Sequence, residues 1–229
     1  MASKTLCSLT FVFFSFFSGP AFSATIYEHA ERTFVDAFDT TGLAILAAGT
    51  VGTIVAFNND LSMQASWDNQ QKMPGNVSAF GDFYGQGWTF IVPAAIGQLI
   101  WDRENGYVTT EGLVESFVIL EGLKYGVGRP RPQGDNHSFP SGHTTISFSF
   151  AASMGAEYPW YIWVPAYGLA GFTGLSRIAD NQHWLSDTLA GATLGMMFGR
   201  AGYKHHFNVQ PLAINDGGEG FGLQITSKF

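Results

Sequence analysis

KYGVGRPRP at residues 124–132, PSGH at 140–143 and SRIADNQHWLSD at 176–187 are the pieces around which the rest of the chain is read. Glycine and proline crowd the first piece: Gly126, Gly128, Pro130 and Pro132 end any helix arriving there. Ser141 then stands as the N-cap of a helix over 142–155, and a further helix is predicted over 160–177. The next starts near His183 and carries Gly191, Gly195 and Gly199 at four-residue spacing, a small face suited to close packing. The pattern is one of apolar helices joined by short, stiff connections.

Working upstream, a helix is expected over 110–124, with Glu115 and Glu121 on it, and another over 85–101, kinked at Pro93. Residues 58–82, with Pro74-Gly75 and several Asn, Asp and Gln, read as a long connection. Residues 41–57 are charge-free, with small residues at Gly42, Ala48, Gly49 and Gly52, and form a first buried helix. Residues 27–39 alternate Phe34, Val35 and Phe38 with Glu31, Arg32, Asp36 and Asp39, the mark of an amphipathic helix lying on a core or a membrane surface. Downstream, 209–214 and 221–229 flank a Gly-rich turn at 215–220 and predict a β-hairpin tail. The fold class expected is all-α, a six-helix bundle with that hairpin appended. The domain layout is 1–23, then 24–206 with its motif core at 112–202, then the tail at 207–229.

The first two dozen residues have the pattern of an export signal. Lys4 precedes a Phe-rich apolar run over 9–17, Gly19-Pro20 breaks it, and Ala21-Phe22-Ser23 offers small residues for cleavage after Ser23. An uncleaved anchor is the alternative. The single cysteine, Cys7, lies in this segment, so the expected mature chain has no disulfide framework. A length of 229 residues fits one main domain with a substantial core. The net charge of −7 argues against nucleic acid as a partner, because that affinity rests on cations neutralising phosphates. Among only eleven Lys and Arg, Lys124, Arg131 and Arg177 fall inside the three motifs.

Those cations, with Ser141 and its helix start, make an inventory for gripping a phosphate-like oxyanion. N–H groups of Gly142 and His143 point out of the helix end, where the dipole favours negative charge, and Gly142 has no side chain to block an approach. An ordinary N-cap is the bland reading. Lys124 pairs with Glu121 at i, i+3 in the bland reading, while Arg131 sits in a rigid Arg-Pro-Arg-Pro run suited to planar recognition of oxyanions. His183 and Asp187 are i, i+4 and would share a helix face, so a carboxylate could fix the imidazole tautomer and leave the other nitrogen as nucleophile. A helix-surface pair is the alternative there. A metal site is not expected, for want of further ligands at suitable spacing, and no cofactor is. His29, His137, His205 and His206 have no such company.

Lys, six residues, Arg-Pro; Pro-Ser-Gly-His; then Ser-Arg, five residues, His, three residues, Asp: in this order the motifs resemble the signature of the type 2 phosphatidic acid phosphatase superfamily, over about 112–202. The resemblance implies His183 as the nucleophile of a phosphohistidine intermediate, Asp187 as its partner and His143 as the acid that protonates the leaving alkoxide. It implies that Lys124, Arg131, Ser141, Gly142 and Arg177 hold the phosphoryl oxygens, with no metal. Ser138-Phe139 and the run from Ser186 to Gly191 look like the lipid-phosphate branch; the vanadium haloperoxidases share the site on larger chains. The expected substrate is a phosphorylated lipid or a small phosphate ester, with membrane association in the bacterial envelope and a site facing the periplasm. A soluble periplasmic acid phosphatase and a non-catalytic anion-binding envelope protein remain the alternatives. The charge-free runs 40–59, 83–101 and 158–176 approach the roughly 20 residues that span a bilayer only with their polar ends counted. An odd number of core helices precedes Lys124, so an outward site requires that not all of them cross. The weakest spanner is 110–124, since Glu115 and Glu121 would each cost roughly 2.5–3.5 kcal/mol at a bilayer centre.

Overall fold

The computed structural model describes residues 30–70, 73–204, 207–214 and 220–227. The export segment expected over 1–23 lies outside them, as do His29, His205 and His206. Eight α-helices of eleven residues or more follow in order among the described residues. They are α1 (Thr40–Phe57), α2 (Asp60–Gln70), α3 (Gly75–Gly85), α4 (Ile91–Trp101), α5 (Arg103–Val127), α6 (Gly142–Glu157), α7 (Trp160–Ala179) and α8 (Leu185–Gly199). A 3₁₀ turn, Ala201–Lys204, leads to an antiparallel pair, β1 (Phe207–Ile214) and β2 (Gly220–Ser227), with Phe207 opposite Ser227.

Helix α8 packs on α6, α1 and α5 together. Its glycine stripe explains how. A Cβ on Gly191, Gly195 or Gly199 would lie 2.6, 2.4 or 2.1 Å from the carbonyl oxygen of Ser141, Thr145 or Ser149 on the α6 side. No side chain fits in such a gap, so the two backbones touch and their N-terminal ends, which carry the site, are brought side by side. Residues 30–36 are helical and close the far end, where Phe34 and Phe38 stack on Phe198 of α8 at ring distances of 5.7 and 6.1 Å. Asp39 caps α1 through the Gly42 N–H at 2.8 Å and pairs with Arg200.

The expected connection at 58–82 is instead two helices, and this is the main correction to the architecture. Pro74 is the residue before α3, where a missing N–H costs nothing, so Pro74-Gly75 starts a helix. Two polar residues of this stretch face protein: Asp60 and Gln64 are buried, and Gln64 bonds Asn181 and the Ile178 carbonyl. The helix expected over 85–101 begins only at Ile91, and Pro93 falls in its first turn without a kink to explain. The helix expected over 110–124 runs from Arg103 to Val127 and stops where Gly128 turns left-handed at φ 58°. Helix α1, expected to be buried, instead exposes Val51, Ile54, Val55 and Phe57, and it is the one helix among the described residues long and apolar enough to cross a membrane.

Candidate active site

The loop after α5 ties the three motifs to one another through its backbone. Ser138 N–H donates to the Arg129 carbonyl at 2.7 Å, and Arg131 N–H donates to the Asp135 carbonyl at 2.6 Å. Ser141 N–H donates to the Asp187 carbonyl at 3.0 Å, which joins the start of α6 to the start of α8. Ser141 is the N-cap residue of α6 by position, but its buried hydroxyl bonds Thr144 Oγ1 at 2.9 Å rather than a backbone N–H.

His183 and Asp187 do not share a helix face. Helix α8 starts at Leu185, so His183 lies in the preceding turn while Asp187 accepts the Trp184 N–H at 2.9 Å as part of the helix start. The imidazole and the carboxylate are 3.8 Å apart, too far for a hydrogen bond. Ser138 fills that role from the loop. His183 Nδ1 stands 2.8 Å from the Ser138 carbonyl oxygen, which only accepts, so the proton sits on Nδ1 and the lone pair on Nε2. The Ser138 hydroxyl, 3.4 Å from the same nitrogen, donates to Asp187 Oδ2. Burial pushes the His183 imidazole below its ordinary pKa by more than Asp187 and Ser138 raise it, so the ring is neutral at neutral pH. Burial alone would push Asp187 up, yet His183, Ser138, the Trp184 N–H and Arg129 together hold its carboxyl below the usual range.

Behind this pair stands a layer that the motif reading passed over. Arg129 Nη1 donates to Asp187 Oδ1 at 2.6 Å, and its Nη2 donates to Asp60 Oδ2 at 2.8 Å. The guanidinium is sandwiched by rings, 4.8 Å from Phe57 and 5.3 Å from Trp184. Asp60 in turn accepts the Ser186 N–H at 3.1 Å at the start of α8. A buried Asp187 thus has its charge matched by a forked cation that a second carboxylate orients. Arg129 was visible as the first Arg of Arg-Pro-Arg-Pro; nothing in the sequence tied Asp60 to it.

His143 and Arg177 meet a partner from α3. Asp82 Oδ1 is 3.3 Å from His143 Nε2 and accepts from Arg177 Nη1, and Arg177 Nη2 donates to Asp180 Oδ2 at 2.9 Å. Burial first, then the Arg177 and other nearby positive charges, push the His143 imidazole down to about 4, against the opposite pull of Asp82. Arg131 Nη1 donates to Gln182 Oε1 at 2.5 Å while its Nε is buried without a partner. Arg131, His143, Arg177, His183 and Asp82 line one cleft of about 490 Å³.

Of the other expected site residues, Lys124, Ser141, Gly142 and Asp187 lie outside that lining. Lys124 Nζ is 3.7 Å from Glu121 Oε1, the i, i+3 pair of the bland reading. It is also within 3.2 Å of where a Cβ on Gly142 would sit, so the ammonium stands over the start of α6. Among the described residues no group of three or more His, Cys, Asp or Glu is placed to hold a metal ion. His137 lies in the loop at φ 65° beside the Tyr125 ring and takes no part.

Two histidines and the cations Arg131 and Arg177 thus face one cleft, an arrangement able to bind an oxyanion. The PAP2 superfamily model matches residues 133–211, about a third of the chain, beginning just past Arg131. A lipid A 1-phosphatase of Porphyromonas gingivalis is 48% identical over 110 residues, 46% of this chain and 23% of that protein. The chain therefore spans about a quarter of that relative's length. An undecaprenyl-diphosphatase of Sulfolobus acidocaldarius is 28% identical over 157 residues, 62% of this chain and 74% of that one. Among solved structures, Aquifex aeolicus LpxE superposes with a TM-score of 0.56 at 22% identity, covering 63% of this chain and 94% of that one. A transmembrane PAP2-type phosphatidylglycerolphosphate phosphatase from Bacillus subtilis gives 0.55 at 16% identity, covering 68% and 90%. These structures share the fold.

Proposed function

We propose that the chain is a phosphatase that hydrolyses a phosphomonoester or diphosphate of an envelope lipid through a phosphohistidine at His183. The observation that carries this reading is the pinned tautomer: Nδ1 donates to the Ser138 carbonyl at 2.8 Å, which leaves Nε2 with its lone pair on a residue lining the cleft. Arg131 and Arg177 line the same cleft as cations for the phosphoryl oxygens, with Lys124 over the start of α6 beside Ser141 and Gly142. In this reading the His183 Nε2 lone pair attacks phosphorus and the leaving oxygen takes a proton from His143. Water then attacks the phosphohistidine with His143 as the base, and the P–N electrons return to His183. Asp187 stabilises the positive charge that forms on His183, acting through Ser138. No step is routed through a metal ion. Relatives named for lipid A and undecaprenyl diphosphate point to a lipid phosphate as substrate.

The surface supports membrane association. Val51, Ile54, Val55 and Phe57 on α1 are each more than half exposed, as are Ile100, Trp101, Trp160 and Tyr161 elsewhere. Such an apolar exterior is at home against lipid. We infer a site facing the periplasm. The purified chain, assayed with lipid A, undecaprenyl diphosphate, phosphatidate and 4-nitrophenyl phosphate, tests the reading: turnover of a lipid phosphate that survives EDTA is expected. Turnover of 4-nitrophenyl phosphate alone would favour a non-specific acid phosphatase. Binding of phosphate with no turnover of any ester would favour an anion-binding protein. For placement, Gln133→Cys on intact spheroplasts should react with an impermeant maleimide, and protection until the inner membrane is broken would put the site on the cytoplasmic side.

A further inference from the structure

We propose that Asp82, on α3, is a positioning residue for His143, so that the cleft holds a second carboxylate–histidine pair besides Asp187 and His183. This rests on the phosphatase reading above and adds a residue that lies outside the stretch 133–211 matched by the family model.

Three observations converge on it. First, α3 is pressed against the motif helices on either side of Asp82 by glycines. A Cβ on Gly81 would be 2.3 Å from Ser176 Oγ, and one on Gly85 would be 2.4 Å from Thr173 Cγ2 and 3.0 Å from His143 Cβ. The helix is seated by contacts that leave no room for a side chain, and Asp82 is delivered between them. Second, the carboxylate is held at both oxygens. Oδ1 receives Arg177 Nη1 and faces His143 Nε2 at 3.3 Å, while Oδ2 accepts Gln86 Nε2 at 2.8 Å from the next turn of α3. Third, the surroundings of His143 oppose its protonation. Arg177 of α7, Lys124 of α5 and His183 of the turn before α8 all disfavour a charged ring, as does burial, and Asp82 is the group acting the other way. An acid that must arrive with a proton needs such a partner.

The chemistry then balances. In the empty cleft Asp82 only partly offsets the groups that keep the His143 ring neutral. An incoming phosphoryl dianion takes over Arg177 and adds its own negative charge beside the ring, and with Asp82 it draws a proton from solvent onto His143 before the chemical step. As the His183 Nε2–phosphorus bond forms, the P–O electrons pass to the leaving oxygen, which takes the His143 proton. The neutral His143 recovers a proton from the attacking water in the second step.

The test uses the full chain in detergent and two esters that differ in need for an acid. A 4-nitrophenyl phosphate leaves as a stable phenolate, whereas an alkyl phosphate leaves as an alkoxide that must be protonated. Asp82→Asn should lose about 10-fold or more of kcat on the alkyl ester, a fraction of what general acid catalysis supplies, and only a few-fold on the aryl ester. Its alkaline limb in kcat against pH should move to lower pH, and Asp82→Glu should restore both the ratio and the limb. Equal losses on the two esters, or an unmoved limb, overturn the assignment while leaving the phosphatase standing. No turnover of either ester by the wild type overturns the phosphatase reading and this one with it. If Asp82→Asn loses its helical circular dichroism, Asp82→Ser gives the same comparison with a smaller side chain.

Discussion

The two histidines of the cleft live in opposite surroundings. His183 and Asp187 have side chains 3% and 0% exposed, with Ser138, Arg129 and Asp60 in successive layers behind them. His143 and Asp82 have side chains 29% and 36% exposed, and Asp82 is held by Arg177 of α7 and Gln86 of α3 rather than by successive buried layers. A nucleophile gains from rigidity, because its lone pair must meet phosphorus in line. A leaving-group acid must exchange protons with water in every cycle, so an open edge suits it. The enclosed pair is overdetermined, and losing one member there should cost far more than at the edge.

The strongest test of that contrast is His183→Ala. Loss of the nucleophile of a concerted set should remove activity by orders of magnitude, and an acid-labile, base-stable phosphate label trapped on the wild type should be absent. Near-normal turnover in His183→Ala ends the assignment. Asp187→Asn comes next. It leaves the fully buried position without charge to face Arg129, and breaking a buried pair in this way costs about 3–5 kcal/mol. Both the melting temperature and kcat should fall. If thermal stability is unchanged, the layers behind His183 do not hold it as described.

The edge pair predicts a pH effect with a definite sign. The His143 pKa is near 4 in the fold against an ordinary 6.5, and His183 is also held low. Between those values the unfolded chain binds protons that the folded chain refuses, so stability falls as pH drops from about 6.5 towards 4. The loss is complete below the folded value, and above pH 6.5 these histidines contribute nothing. His143→Phe should flatten part of that slope, as read by denaturant melts across pH. An unchanged slope would mean that the ring is not kept neutral.

What the sequence carried and what it did not follow one physical line. His143, His183, Arg131 and Arg177 announced themselves because their motifs are local, and the cleft gathers all four. The glycine face of α8 was equally legible, since four-residue spacing is a helix property. Asp60 and Asp82 were not, because their partners are far along the chain: Asp60 meets Arg129 and Asp82 meets Arg177 through tertiary packing alone. Their stretch reads as a loop for the same reason. Asp60 and Gln64 pair with protein rather than water, which composition cannot distinguish. Ser138 escaped as a site residue since its backbone carbonyl, which no residue type encodes, is what orients His183.

The mildest perturbation, Gly85→Ala, asks whether the edge pair depends on the seating of α3. An added Cβ there would meet Thr173 Cγ2 at 2.4 Å and His143 Cβ at 3.0 Å. Both belong to packed side chains, so α3 must shift outward, by roughly 1 Å before the new methyl reaches ordinary contact with Thr173. Overpacking of this kind costs about 1–3 kcal/mol. The shift is expected to carry Asp82 away from His143 while leaving Ser138, Arg129 and Asp60 where they are, since the atoms nearest the new methyl belong to Thr173 and His143. The expected result is a small loss of thermal stability, a loss of alkyl-phosphate turnover exceeding that of aryl-phosphate turnover, and unimpaired trapping of phosphate on His183. Equal loss on both esters with weaker trapping would mean that the enclosed pair feels α3 as much as the edge pair does, and the contrast between them would go.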